Sequence, residues 1–295
     1  MKRLLSILLC LLLCLACAGE SFRQAEAPSA VPTEAPAEPE PEAEAIVLTT
    51  EPPVLTPIPV PTPSPTPTPS PTPEPTPTPE PTKDPNRPMV ALTFDDGPNL
   101  TLTEPVLAKL REYHVVATFY LLASAVNDKT GPMLQQMIDQ GCEIGVHGWN
   151  HDDMTTFSSS TNCKRLLKAA DEFSGWIEGG YTPKTMRPPG GKTSGSVYSG
   201  AKAANMAVVK WSVDTADWLT QNEKKIMEVV KKKTRNGAII LCHDHHAPTL
   251  NVLDEMIPWL LEQGYDLVTV SELIESSGEE IQPGRNYRWK PGCEP

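Results

Sequence analysis

Two adjacent aspartates and a pair of histidines are the residues of this sequence best suited to chemistry. Asp95 and Asp96 follow an apolar run and precede a Gly-Pro turn. His147 and His151 are four positions apart, which points both imidazoles to one side if that turn is helical. Two imidazoles and one carboxylate suit a zinc ion and leave coordination positions open for water. Two carboxylates this close together also favour a nearby cation or arginine.

An arginine begins a stiff segment later in the chain. Arg187 is followed by two prolines, which remove backbone donors and hold the arginine at a fixed position. Gly190 and Gly191 come next, and they let a substrate approach the backbone closely. The segment therefore predicts a fixed positive charge beside a binding surface, with an ordinary proline-rich loop as the alternative.

Two further polar segments follow apolar runs. Asp214 and Asp217 are three positions apart, and Trp218 follows them. His243 comes two residues after Leu241, and the ordinary pKa of a histidine suits a general acid. Each of these segments is a weak signal alone, because a single histidine is more often structural than catalytic.

The chain from residue 88 onward must position these side chains, and it alternates strand patterns with helical ones. The predicted strands are 89–94, 115–122, 142–146, 206–213, 238–241 and 267–270. The predicted helices are 102–113, 132–140, 162–177, 222–235 and 249–263, with a short final helix from residue 271. Repeated strand–helix units predict an α/β fold with a mostly parallel sheet, and the length suits closure into a barrel. Functional residues then gather at the carboxyl ends of the strands, where the polar segments lie.

Proline divides the chain into regions. Of the 33 prolines, 20 lie in residues 20–84, too many for a globular domain. We predict a signal peptide or membrane anchor at 1–18, a disordered Pro/Thr/Glu-rich linker at 19–85, a catalytic domain at 86–280 and a C-terminal tail at 281–295. Two basic residues before a short apolar run predict export to the surface or wall of a bacterium. Cleavage, lipidation or retention as a membrane or wall tether all remain open.

The charge distribution limits the classes of partner that this chain is expected to bind. The net charge is −12, and residues 20–84 carry −9 of it. The predicted catalytic domain is only mildly acidic and has no basic stripe, so nucleic acid is not an expected partner. We expect a monomer.

In their order along the chain and in their residue types, five segments resemble the polysaccharide deacetylase family, also called NodB-homology or carbohydrate esterase family 4 proteins. They are T-F-D-D-G at 93–97, H-G-W-N-H at 147–151, R-P-P-x-G at 187–191, D-x-x-D-W at 214–218 and L-x-H at 241–243. That family folds as a distorted (β/α) barrel and deacetylates chitin, peptidoglycan, xylan or related glycans. The resemblance covers about residues 86–275 and implies that fold and a metal-dependent N-deacetylase of a cell-wall polysaccharide, with peptidoglycan favoured.

The resemblance implies a role for each residue of these segments. The implied metal ligands are Asp96, His147 and His151, and the implied cofactor is Zn²⁺ or another divalent transition metal such as Co²⁺. The implied catalytic residues are Asp95 as general base, His243 as general acid, Arg187 as the partner that keeps Asp95 in place, and Asp214 and Asp217 as supports of the arginine and the acid. The implied substrate-binding residues are Trp218 as a groove wall, Leu241 as the acetyl-methyl pocket, and Gly190 and Gly191, near which a backbone N–H stabilises the oxyanion.

Two residues depart from the family pattern. Gly148 replaces a usual serine or threonine, and Gly191 replaces a common aromatic residue, so one groove wall is expected to be lower. Both changes bear on substrate preference more than on activity. His245 and His246 follow the last segment, but the family roles are already filled without them. Trp211 lies within a predicted strand and is expected to belong to the core.

Three alternatives remain at this level. Two histidines and a carboxylate also form the facial triad of non-haem iron proteins, although the arginine and L-x-H segments would have no role there. A sugar-binding pseudoenzyme would keep the groove but would not need both Asp95 and His243. Within the deacetylases, chitooligosaccharides or other glycans are the alternative substrates to peptidoglycan.

Overall fold

The structure of the protein is a computed structural model that describes residues 87–294. The predicted signal or anchor and the predicted linker lie outside the described residues. Among residues 87–294, no helix combines the length and apolar character that a bilayer crossing requires.

Nine short strands form one parallel, curled sheet in the described part of the chain. They are β1 Met89–Asp95, β2 Thr118–Leu121, β3 Glu143–Val146, β4 Thr185–Met186, β5 Ala207–Val209, β6 Val213–Asp214, β7 Ile239–His243, β8 Asp266–Leu267 and β9 Asn286–Tyr287. Their order is β6-β7-β1-β2-β3-β4-β5-β9, and β8 pairs with β1. Within residues 87–294 no ladder joins β6 to β9, so the predicted distorted barrel is confirmed as a half-barrel that stays open on one side.

Helices connect the strands. They are α1 Thr103–Glu112, α2 Pro132–Asp139, α3 Ser159–Ser174, α4 Gly195–Ala203, α5 Asp217–Thr220, α6 Glu223–Lys233, α7 Ala247–Glu262 and α8 Val270–Glu275. Asn222 caps α6 as predicted, because its Oδ1 accepts the Lys225 N–H at 3.1 Å. Gly237 follows with φ 81° and makes the turn into β7.

The central strand β1 is buried along its whole length. Alternate residues point to opposite faces, so Val90, Leu92 and Phe94 join the core under α1, α2, α3, α6 and α7. Met89 and Ala91 join a second, smaller core on the other face, together with residues of α8. Asp95 lies an even number of residues from Met89 and Ala91, so its side chain points to the same face of the sheet as theirs. This is the concave face of the curled sheet.

The structure corrects the prediction of one strand at 206–213. The run is divided into β5 and β6, because the carbonyls of Val209 and Lys210 turn to accept hydrogen bonds from the buried Arg187 side chain. Another correction concerns residues 267–270, where the strand ends at Leu267 and the chain enters α8 through a capping box at Thr269.

Several elements were not predicted. β4 and β9 have two residues each and α5 has four, too few to show periodicity, and α4 was also missed. Residues 281–294, predicted as a tail, contain β9, which pairs with β5 and buries Tyr287. The sheet therefore extends beyond residue 280.

Candidate active site

The chemically suited side chains converge at the carboxyl ends of the strands. Asp95, Asp214 and His243 are the last residues of β1, β6 and β7, and His147 and Arg187 directly follow β3 and β4. Parallel strands place these ends along one edge of the sheet. All of these residues except the fully buried Arg187 line a cavity of about 400 Å³.

An aspartate and two histidines at this edge of the sheet form a candidate metal site. One ligand atom from each of Asp96, His147 and His151 lies within 4.8 Å of the others. Asp96 Oδ1 is 3.3 Å from His147 Nε2 and 3.7 Å from His151 Nε2. The intervening turn is not helical, so helical spacing is not what brings the histidines together. They meet because His147 directly follows β3 and Gly148, at φ 100°, lets the chain turn back.

The donor set fits a divalent metal such as zinc. His147 Nδ1 donates to the Arg187 carbonyl at 2.8 Å, which leaves Nε2 free to ligate. Asp96 Oδ1 is buried and has no well-formed hydrogen bond within residues 87–294, as expected of an atom whose partner is a cation. Burial raises the pKa of Asp96, but the facing His147 Nε2 atom at 3.3 Å and the charges of His147, His151 and His243 outweigh it and bring the pKa to about 2. The carboxylate is therefore ionised near neutral pH.

Beside this site, Arg187 and Asp95 form a buried ion pair. Arg187 Nη1 donates to Asp95 Oδ1 at 2.6 Å and to Thr93 Oγ1 at 2.8 Å. The other guanidinium donors reach the carbonyls of Lys210 at 3.1 Å and Val209 at 3.4 Å. Arg187 thus holds Asp95 through Oδ1, and the other carboxylate oxygen, Oδ2, lies 3.8 Å from Nε2 of the candidate ligand His147.

On the opposite wall, Asp217 orients His243. Asp217 Oδ1 accepts from His243 Nδ1 at 2.8 Å, and Asp217 Oδ2 accepts from the His243 N–H at 2.7 Å and from Thr249 Oγ1 at 2.6 Å. Burial lowers the pKa of His243, but the hydrogen bond and charge of Asp217 outweigh it, so the pKa is raised. The ring is therefore held with Nε2 free, and its protonated form persists to higher pH than in an ordinary histidine.

Asp214 was expected to support the arginine. It lines the cavity, but within residues 87–294 no hydrogen bond or ion pair joins it to Arg187. Asp214 Oδ1 instead accepts the N–H of Ala216 at 2.9 Å. Ala216 has φ 53°, so Asp214 stabilises the left-handed turn that places Asp217.

Comparisons with known proteins agree with this geometry. The family model described as polysaccharide deacetylase matches residues 82–209. Peptidoglycan-N-acetylglucosamine deacetylase PgdA of Listeria monocytogenes is 36% identical over 67% of this chain and 41% of its own length. The solved structure of peptidoglycan deacetylase PdaC from Bacillus subtilis is 37% identical, with a TM-score of 0.61, over 66% of this chain and 94% of that one. This chain belongs to the polysaccharide deacetylase family.

A further structure bears on the metal. A family 4 acetyl xylan esterase from Clostridium thermocellum, in complex with a cobalt ion, is 34% identical with a TM-score of 0.64, over 69% of this chain and 99% of that one. Members of the polysaccharide deacetylase family are metal-dependent, and the Asp96, His147 and His151 site fits that property. The chain spans about two fifths of two of its curated relatives, with 41% of PgdA and 40% of the PdaC sequence named peptidoglycan-N-acetylmuramic acid deacetylase.

Three of the four substrate-binding positions implied by the family line the cavity. Trp218 is 52% exposed at the cavity rim, and Leu241 and Gly190 also line the cavity. Gly191 does not line it, and Trp211 does.

Trp211 corrects two expectations about this part of the groove. It is half-buried at the wall rather than in the core, and its ring fills the space beside Gly191, where a Cβ would lie 2.7 Å from the ring. The wall is therefore not lower at Gly191, because an aromatic ring from the β5–β6 connection stands beside it. In R-P-P-x-G the variable position is that of Gly190, so Gly191 is the glycine of the motif and does not replace an aromatic residue. The missing side chain at Gly191 leaves room for this ring, but the sequence alone does not identify Trp211 as its occupant.

Asp244 was also missed, although it directly follows His243. Its side chain is fully buried, accepts a hydrogen bond from Thr103 and packs against Gly97, where a Cβ would lie 2.5 Å from the carboxylate. Burial raises the pKa of Asp244 to about 7, against the hydrogen bond from Thr103, which lowers it. The carboxyl group lies under the loop that carries Asp96 and links that loop to β7.

Proposed function

We propose that this chain is a metal-dependent hydrolase that removes N-acetyl groups from peptidoglycan. The observation that carries the proposal is that Asp95, held by Arg187, and His243, held by Asp217, line the same cavity as the three candidate metal ligands. A held carboxylate and a held imidazole are the two groups that acid–base hydrolysis of an amide requires.

The residues divide the reaction between them. A zinc ion at Asp96, His147 and His151 would supply polarisation of the acetyl carbonyl and a water that is acidic near neutral pH. Asp95 accepts a proton from the attacking water, while Arg187 keeps its other oxygen in place. The carbon–nitrogen bond then breaks, acetate leaves, and His243 donates a proton to the amine of the sugar.

A backbone donor completes the arrangement. The N–H of Gly191 already donates to the Pro188 carbonyl at 2.8 Å, which favours the N–H of Gly190, at the cavity wall, as the group that stabilises the negative oxygen. Leu241 offers an apolar surface to the acetyl methyl group, and the exposed Trp218 offers a flat wall to a sugar ring.

Three observations support the finer parts of the proposal. The relatives PgdA and PdaC are named for peptidoglycan, one for N-acetylglucosamine and one for N-acetylmuramic acid, so both sugars are candidate substrates. One carboxylate and two imidazoles suit Zn²⁺, with Co²⁺ as the substitute. The basic and apolar start of the sequence supports export to the bacterial surface or wall.

The test is turnover on defined substrates. Zinc-loaded protein is incubated with purified peptidoglycan, with N-acetylglucosamine oligomers and with acetylated xylan, and the products are read by mass spectrometry after muramidase digestion. Loss of acetyl groups from muropeptides supports the proposal, and fragmentation identifies the sugar. Activity on the oligomers or on xylan but not on peptidoglycan would correct the substrate. Protein with full metal content that is inactive on every glycan would overturn the deacetylase assignment.

A further inference from the structure

A second cavity adjoins the first on the far side of the candidate metal site. It has a volume of about 420 Å³ and lies between the β1–α1, β2–α2 and β7–α7 connections. Asp96, His151 and His245 line both cavities. The two metal-ligating side chains therefore sit at a junction, and His245 sits there with them.

His245 has hydrogen-bonding capacity that the protein does not use. The side chain is partly buried in the β7–α7 connection, with its ring edge against the ring of His243 at 5.7 Å between centroids. Its Nδ1 atom is buried and has no partner within residues 87–294. The other ring nitrogen, Nε2, also has no hydrogen bond within residues 87–294 but is not buried, so it is the atom that a ligand hydroxyl or carbonyl can reach.

The rest of the second cavity suits a sugar. Leu122, Ala125 and Pro98 provide apolar surface for the C–H groups of a ring. Asn99 uses its Oδ1 to accept from the N–H groups of Thr101 and Leu102, at 3.0 Å each, which leaves its amide NH₂ as a donor at the cavity wall. Apolar surface with a few placed polar groups is the usual composition of a ligand site.

We infer that His245 binds the sugar adjacent to the one that loses its acetyl group, and that this neighbour occupies the second cavity. The inference rests on the proposed function, because it needs a glycan whose scissile acetyl group lies at the metal site. A chain that crosses the junction then places one sugar on the Trp218 side and the next sugar on the His245 side. The preferred substrate is therefore a polymer or oligomer that fills both cavities.

His246 provides a matched control. It is the same residue type, one position later, with its ring 4.0 Å from that of His245. His246 lines neither cavity, and its Nδ1 lies 3.2 Å from the side-chain amide of Gln221. Changing it perturbs the same connection without removing a group from the proposed sugar site.

The experiment compares chain lengths in the full-length, zinc-loaded protein. Acetate release from N-acetylglucosamine and from its disaccharide gives kcat/KM for wild type, His245→Ala, His245→Gln and His246→Ala. We expect His245→Ala to lower the disaccharide-to-monosaccharide ratio about tenfold, the effect of one hydrogen bond to a neutral group, mainly through KM. His245→Gln should retain part of the ratio, and His246→Ala should retain all of it.

Two outcomes would overturn the inference. One is a wild-type ratio near one, which would mean that no neighbouring sugar is bound. The other is a His245→Ala protein whose ratio equals that of wild type, whether its activity is unchanged or is reduced equally on both substrates. Failure of the proposed function is distinguishable, because wild type would then release no acetate from the monosaccharide, the disaccharide or peptidoglycan.

Discussion

Substitution of Asp95 by asparagine separates the structural and chemical roles of one carboxylate. Arg187 is fully buried, and Asp95 is the carboxylate to which it is paired, at 2.6 Å. Its other partners are the neutral Thr93 hydroxyl, two carbonyls and the face of Tyr120, 4.1 Å from the guanidinium carbon. In Asp95→Asn the guanidinium stays buried without a counter-charge.

The magnitude follows from this burial. Breaking a buried ion pair by removing one partner costs about 3–5 kcal/mol, and the retained amide oxygen places the expected loss for Asp95→Asn near the lower end, at about 3 kcal/mol. That is a large part of a domain stability of about 5–15 kcal/mol. Activity should fall by about 10²–10⁴, the usual contribution of a positioned general base. Metal content should stay near wild type, since the candidate ligand is Asp96.

Urea denaturation of a mutant cycle measures the stability effect. We expect the double variant Asp95→Asn/Arg187→Met to be more stable than Asp95→Asn, because it buries no unpaired charge, while remaining inactive. The control is Glu275→Gln, which breaks the exposed pair with Lys184 and should change stability little. An Asp95→Asn protein as stable as wild type, or a double variant no better than the single one, would refute the electrostatic argument. Full activity in Asp95→Asn would refute the general-base role.

Three further predictions concern the metal, the acid and the groove wall. Asp96→Asn should weaken metal binding by more than the ~10–100-fold typical of an outer-sphere partner, and added Zn²⁺ should partly restore activity; wild-type metal content measured by elemental analysis would contradict this. Asp217→Asn removes the charge that raises the pKa of His243, so His243 should lose its proton at lower pH. The alkaline limb of the pH profile of kcat/KM should then move to lower pH, and an unmoved limb would show that Asp217 does not set the pKa of the general acid. Gly191→Ala should cost about 1–2 kcal/mol in thermal denaturation for its left-handed backbone, at φ 66°, and more for the contact with Trp211. Gly190→Ala, at a position with open space, should cost only the backbone part of that stability. Equal losses of stability in the two variants would show that the contact with the Trp211 ring has no effect.

The candidate site could be predicted from sequence because its residues end strands. An apolar run followed by a polar motif fixes where a strand stops, and parallel strands bring those ends together whatever the helices between them do. The grouping of Asp96, His147 and His151 followed from this rule and the family resemblance. Helical spacing, one way in which two histidines four positions apart could meet, is not used, because a glycine with positive φ reverses the chain there.

The parts that sequence did not reveal depend on contacts between distant segments. The break between β5 and β6 exists because Arg187, more than twenty positions earlier, donates hydrogen bonds to two backbone carbonyls of that run. The two-residue strand β9 is defined only by its pairing with β5. The position of Trp211 depends on the empty space at Gly191, and the burial of Asp244 depends on the missing side chain at Gly97. Local periodicity carries none of this information.

The uneven exposure of the three candidate metal ligands bears on when the ion is acquired. The side chains of Asp96 and His147 are 20% and 2% exposed at the ends of β1 and β3, whereas that of His151 is 52% exposed on a loop. Two ligands are thus preformed by the sheet, and the third faces the groove. An ion can enter or leave without any opening of the core, so the domain can fold first and be loaded afterwards. Chelation should then yield a folded apoprotein that regains activity on reloading, and the surrounding solution rather than the folding process would decide which ion the enzyme carries.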